Sequence, residues 1–236
     1  MPLLYYDNTE MVEPNLMRQK ERPMNRVVVD KGHPFAPDFC LFPQHNFSTG
    51  GAINDLVSGE SLTLPAGSLW LPDSLYLPER LSLPTWLWPA RGLMTAVMSF
   101  SLTSGSSGDN LIGFPSYTGR CYLRIKSASS VTLGFFKDNS SGDIDKTFGN
   151  YSLGVGVIID IGFSYDDQSA SVAAIHRGVL YSGSGGTHKA ATGDRYINYS
   201  NIQLYLRHFY AWNRVIDTET LISVNDSPYQ FLIPAG

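Results

Sequence analysis

An all-β chain of antiparallel strands is the fold class this sequence predicts, and three observations carry it. Charged residues make up only 16% of the chain, while 22 glycines, 14 prolines and 12% aromatic residues supply turns and bulky core. Soluble domains usually carry roughly 25% charge, and this balance favours sheets joined by tight turns. Several stretches alternate apolar and polar residues with a period of two, which turns one strand face into a core and the other outward. Finally, 236 residues suffice for one large sandwich. The chain is read as an extended N-terminal arm, 1–31, a single β-sandwich, 32–236, and a short helix near the C-terminus.

The arm differs from the rest in composition. Ten of the chain's 38 Asp, Glu, Lys and Arg residues fall within it, and Pro2, Pro14 and Pro23 break any long helix. Leu3, Leu4, Tyr5 and Tyr6 give it an apolar tip. Such a tip either straps over its own sandwich or fills a neighbour's groove. From His33 to Glu60, short apolar patches alternate with turn residues, and Pro34, Pro37 and Pro43 exclude a central strand.

Residues 61–89 hold a short internal repeat, SLTLP, SLWLP, SLYLP, LSLP and WLWP. Each unit offers a Leu-x-Leu pair, enough for two or three extended residues before proline stops the ladder. The repeat reads either as a meandering sandwich edge or as a contact ladder. In the second reading Trp70, Tyr76, Trp86 and Trp88 are the partner-binding anchors.

Strand patterns strengthen beyond residue 93. Met94, Ala96, Met98, Phe100 and Leu102 share one face. Cys121, Leu123 and Ile125 repeat the alternation, as do Val131, Leu133 and Phe135. Between 153 and 163 every odd position is apolar, while Gly154, Gly156 and Gly162 thin the opposite face enough for another group to approach. Turns at 165–168 and 176–178 separate the strands that follow.

The last patterned stretch is 202–225. Ile202, Leu204 and Leu206 alternate with Gln203, Tyr205 and Arg207, and after Asn213-Arg214 the period lengthens to that of a helix. Asp217 is placed to cap that helix through the N–H of Glu219 or Thr220, with Ile216 and Leu221 closing a hydrophobic staple.

A strand ending in an aromatic, Asn-Arg and a short capped helix, here Trp212-Asn213-Arg214-Val215-Ile216-Asp217, resembles the C-terminal unit of laminin-G-like domains. These belong to the concanavalin A-like lectin and glucanase sandwiches. The order of strands and turns over 94–225 is similar as well. The resemblance implies an antiparallel jelly roll and a lectin-like role.

Chemistry is hard to place on this sequence. The related glucanases use paired acids, and a retaining pair must stand about 5 Å apart. Glutamate occurs only at 10, 13, 21, 60, 79 and 219, and Asp160 has no acidic partner at 158 or 162. The expectation is no enzyme and no catalytic residue. The five histidines and two cysteines show no metal-ligand spacing, and the acidic stretch 138–145 departs from a calcium loop and reads as a solvated turn. No metal and no cofactor is expected. Net charge is −4 with no basic cluster, which excludes nucleic acid as a natural partner. No apolar run approaches the roughly 20 residues of a membrane span, and the N-terminus lacks the pattern of a secretory signal.

A lectin-like fold without an export signal or a disulfide framework suggests a component of a bacteriophage virion, made in the host cytoplasm. In that reading the protein is structural, a capsid decoration or a tail- or fibre-associated component, held by its arm and Pro-rich segment. Its partners are other virion proteins or further copies of itself. The alternative is a carbohydrate-binding module recognising a host surface glycan.

Overall fold

The computed structural model describes residues 22–44, 50–88, 94–102, 110–113, 121–127, 130–135, 144–148, 157–166, 171–176, 179–184, 194–198 and 200–235. Every strand pairing in it is antiparallel. In chain order the strands are β1 (Val27–Val29), β2 (Phe39–Leu41), β3 (Ala52–Asn54), β4 (Ser61–Thr63), β5 (Leu69–Trp70), β6 (Leu75–Leu77) and β7 (Leu81–Leu83). Next come β8 (Met94–Leu102), β9 (Asn110–Gly113), β10 (Cys121–Ser127), β11 (Ser130–Phe135) and β12 (Ile144–Phe148). The last are β13 (Ile159–Asp166), β14 (Ser171–His176), β15 (Val179–Ser184), β16 (Arg195–Ile197), β17 (Leu204–Trp212) and β18 (Leu232–Pro234), with helix α1 (Thr218–Asp226) before β18.

Two large sheets result. One runs β15-β14-β13-β8-β17-β6-β5, with β2 also on β17; the other runs β12-β11-β10-β9-β16-β7. Sequence neighbours such as β6 and β7, or β16 and β17, lie in different sheets, so the chain crosses repeatedly between layers. A core of Leu75, Leu77, Leu81, Leu83, Met98, Phe100, Ile161, Phe163, Ile197, Leu204 and Phe209 joins the two. On the far side of the larger sheet, Val97, Ile175, Tyr210 and Trp212 pack with Leu221 and Val224 of α1 and with Val27, Val29 and Phe231. The middle strands are thus covered on both faces, and this explains why Thr95, Ser99 and Ser164 are buried polar residues. Thr95 Oγ1 donates to the Arg214 carbonyl at 2.8 Å and lies 3.0 Å from Ser164 Oγ.

Of the expected strand at 153–163, residues 153–156 fall outside the described residues. β13 begins at Ile159 and continues to Asp166, while Val157 precedes it and is only half-buried. Gly162 serves the close approach its composition implied. A Cβ there would meet Leu221 Cδ1 at 3.0 Å, Ile175 Cγ2 at 3.1 Å and Val97 Cγ2 at 3.2 Å. Gly154 and Gly156 fall outside the described residues. Within the acidic stretch 138–145, expected to be a turn, β12 already begins at Ile144.

β17 carries a feature that alternation did not predict. Leu206 pairs with Phe100 but His208 pairs with Ser99, so Arg207 is an extra residue, a bulge. Before it Leu204 and Leu206 face the inter-sheet core; after it Phe209 and Ala211 do, while Tyr210 and Trp212 face α1. One inserted residue reverses the side-chain phase.

The helix start follows the sequence reading. Asp217 Oδ1 accepts from Thr220 N at 2.8 Å, and Oδ2 accepts from Thr220 Oγ1 at 2.9 Å. Those bonds hold the exposed carboxyl below its usual range. Ile216 and Leu221 share one apolar cluster, and the helix runs for nine residues.

Of the expected arm, residues 22–31 are described, and they lie on their own sandwich. Val27, Val28 and Val29 pair with Pro234, Ile233 and Leu232. Arg22 covers the Phe42 ring at 4.3 Å and donates to the Arg207 and Pro43 carbonyls. Leu3, Leu4, Tyr5 and Tyr6 lie outside the described residues.

Candidate functional site

The Pro-rich repeat forms four short strands, β4 to β7, of two or three residues each. β5 and β7 end the orders of the two large sheets, β6 lies between β17 and β5, and β4 pairs with β3. Leu62, Leu64, Leu75, Leu77, Leu81 and Leu83 are all buried, so most of the repeat's leucines belong to the core.

The four expected anchors have four different surroundings. Trp88 is 2% exposed and belongs to the inter-sheet core, which corrects its place among partner-binding residues. Its φ is +55°, a costly conformation for a bulky side chain. The Trp88 amide donates to Asn213 Oδ1 at 2.6 Å, its indole to the Trp212 carbonyl at 3.2 Å, and its carbonyl accepts from Arg195 at 2.7 Å. The Asn213 side chain therefore pins the end of β17 to this turn. Trp70 is partly buried, with its indole donating to the Gly50 carbonyl at 3.1 Å. Tyr76 leans on Tyr205 with centroids 5.1 Å apart. Trp86 is 40% exposed; its ring meets Phe39 edge-on at 6.0 Å and its indole donates to Glu60 Oε2 at 3.1 Å.

Trp86 stands beside an open groove of about 470 Å³ lined by Glu60, Ser61, Leu62, Thr63, Ser82, Leu83, Pro84, Thr85 and Asp194. β4 lies against β7 but among the described residues pairs only with β3, and the groove follows this unzipped seam. Leu62 and Leu83 are buried beneath it, while Ser61, Thr63, Ser82 and Thr85 are exposed.

Both walls are built with care at the residue level. Asp55 is fully buried and accepts from the amides of Cys40, Val57 and Ser58 at 2.8, 3.1 and 3.0 Å, and from the Ser58 hydroxyl. This turn, with Gly59 at φ +80°, closes through Asp55 N to Glu60 O at 2.8 Å and so presents Glu60. Opposite, Asn198 Nδ2 donates to the Leu77 and Ile202 carbonyls at 2.9 and 2.7 Å, tying the β6–β7 connection to the end of β16. Tyr196 pairs with Ser82, so both project to the same outward face, and the Tyr196 hydroxyl donates to Asp194 Oδ2 at 2.9 Å.

Sequence reasoning sought paired acids on one strand and missed Glu60 and Asp194. They lie far apart in the chain and come to one groove through the packing of β4 against β7 and the pairing of β7 with β16. Among the described residues no cluster of three His, Cys, Asp or Glu side chains is arranged to hold a metal ion. No helix among them is long and apolar enough to cross a membrane.

No protein-family model and no curated protein matches the chain. Solved structures do. The chain is similar to Trypanosoma rangeli sialidase in complex with sialic acid (13% identity, TM-score 0.59), over 95% of this chain and 38% of that one. It is also similar to the binding domain of Paraclostridial Mosquitocidal Protein 1 (12% identity, TM-score 0.61), over 82% and 52%. The binding domain of botulinum neurotoxin serotype D gives 10% identity and a TM-score of 0.62, over 81% and 51%. The chain thus spans about half or less of each, and at such identities the likeness is one of fold. It places this protein among the β-sandwiches found in those structures.

Proposed function

We propose that this protein is a non-catalytic carbohydrate-binding sandwich and that its glycan lies in the groove between β4 and β7. The observation that carries the reading is the groove itself. Its size falls within the roughly 300–1,000 Å³ of ligand sites, its walls present hydroxyls and carboxylates, and a half-exposed indole stands at its edge. Trp86 is fixed by Glu60 and Phe39, so a sugar ring can stack on it with little loss of side-chain freedom. The similar structures give the reading company: one is a sialidase solved with sialic acid and two are toxin binding domains.

Binding is favoured over hydrolysis by the state of the two acids. Each is exposed, and each accepts a hydrogen bond from an aromatic neighbour. Neither occupies the apolar pocket that makes a carboxyl group a general acid. The virion role rests on an arm tip outside the described residues and on a leucine ladder that faces inward, which leaves the glycan reading better supported.

The test is a glycan array followed by titration with the best oligosaccharide. Trp86→Ala should weaken binding about tenfold or more, near 1.4 kcal/mol, and Ser82→Trp should block the groove. Both variants should keep the wild-type melting transition. Absence of any glycan binding, or binding indifferent to Ser82→Trp, overturns the reading, and glycan turnover overturns its non-catalytic component.

A further inference from the structure

We infer that the groove selects uncharged sugars and rejects acidic ones, a specificity that rests on the carbohydrate reading above. The charge on its walls is of one sign. Glu60 and Asp194 line it, and among the described residues no Lys, Arg or His lines it. Arg80 lies nearby, but its guanidinium sits over the Tyr196 ring at 5.1 Å and does not line the groove.

Hydrogen-bond chemistry points the same way. An ionised carboxylate only accepts, so Glu60 and Asp194 pair with hydroxyl donors and offer nothing to another carboxylate or a sulfate. Adjacent sugar hydroxyls are donors of that kind, and the exposed side chains of Ser61, Thr63, Ser82 and Thr85 both donate and accept between the two acids. An acidic sugar brings a negative charge within the Debye length of about 8 Å at physiological salt, where repulsion is incompletely screened. Among the described residues the lining offers it no cation in return. The carboxylates are held in place by the Trp86 and Tyr196 donors, so they cannot simply swing clear.

The experiment uses the full chain and an array in which each neutral oligosaccharide is matched by the same glycan carrying sialic acid, a uronic acid or a sulfate. Wild type should favour the neutral member at least tenfold. Glu60→Gln with Asp194→Asn should bring that ratio within about threefold, whatever happens to overall affinity. In wild type, 500 mM salt should narrow the gap as well. Equal or better binding of the acidic members, or a ratio unmoved in the double variant, overturns the selectivity. If Ser82→Trp abolishes binding while acidic members are preferred, the groove reading stands and the selectivity alone falls. If nothing binds, or binding ignores Ser82→Trp, both fall together.

Discussion

His208 shows how much a single position can carry in this fold. The bulge at Arg207 turns it inward, where its ring stacks on Tyr210 at 4.6 Å and meets Tyr229 edge-on at 5.7 Å. It is buried, and its Nδ1 has no hydrogen-bond partner. Burial first, and then the charges of Arg22 and Arg207, pull its pKa well below the ordinary imidazole value of 6.5. Below about pH 6.5 the unfolded chain takes up a proton that the folded chain refuses. Stability from this residue is therefore full above pH 6.5 and drains as the pH falls further, by at most about 1.4 kcal/mol per pH unit. Denaturant midpoints measured from pH 7.5 to 5 should fall for wild type and fall less for His208→Phe, which keeps the aromatic stack but cannot titrate. Parallel curves would show that the proton is taken up elsewhere. The Asp217 cap, whose carboxyl is held below its usual range, weakens only in more acidic solution.

Among the elements, β13 and α1 are in close contact at Gly162. Gly162 has no side chain because Leu221, Ile175 and Val97 already occupy the space. Gly162→Ala should cost about 1–3 kcal/mol by overpacking. Pairing it with Leu221→Ala should recover some of that cost, a coupling that a double-mutant cycle reads directly. Additive costs would mean that the helix does not press on the strand. Elements of this kind are legible in sequence because alternation reports burial. Met94 to Leu102, Trp212 to Asp217 and the leucine pairs at 62/64, 75/77 and 81/83 fold as their spacing implies, while Leu69 is exposed. The bulge at Arg207 is not legible, since an extra residue changes register without changing composition. The groove is less so. Glu60 and Asp194 meet only because β7 pairs with β16 and leaves β4 beside it, and no local pattern encodes a long-range pairing. Trp88 misled for a related reason: tryptophan beside proline looks like a surface anchor until Asn213 and Arg195 are seen to hold it inside.

At the scale of the molecule, the larger sheet has two cores and the second depends on both ends of the described chain. Removal of 1–31 takes away β1 and Arg22, exposing the surfaces that Val27 and Val29 cover. Those two side chains contribute roughly 3–6 kcal/mol gross at 1.5–3 each, a large share of a typical 5–15 kcal/mol. The truncated protein should keep its β-sheet spectrum and melt at a clearly lower temperature; an unchanged melt would show that the strap is idle. The same β1–β18 pair has a mechanical side. Val27 lies opposite Pro234, so the chain leading into β1 and the chain leaving β18 depart from the same end of the ribbon. Tension drawn between them acts across the strands, parallel to the hydrogen bonds, and not along the strand axes. The three residue pairs would then separate in succession, as a zipper opens. A molecule tethered by these two ends would load the Arg22 contacts and then this ribbon, uncovering the α1 face before the long strands of the sandwich bore load.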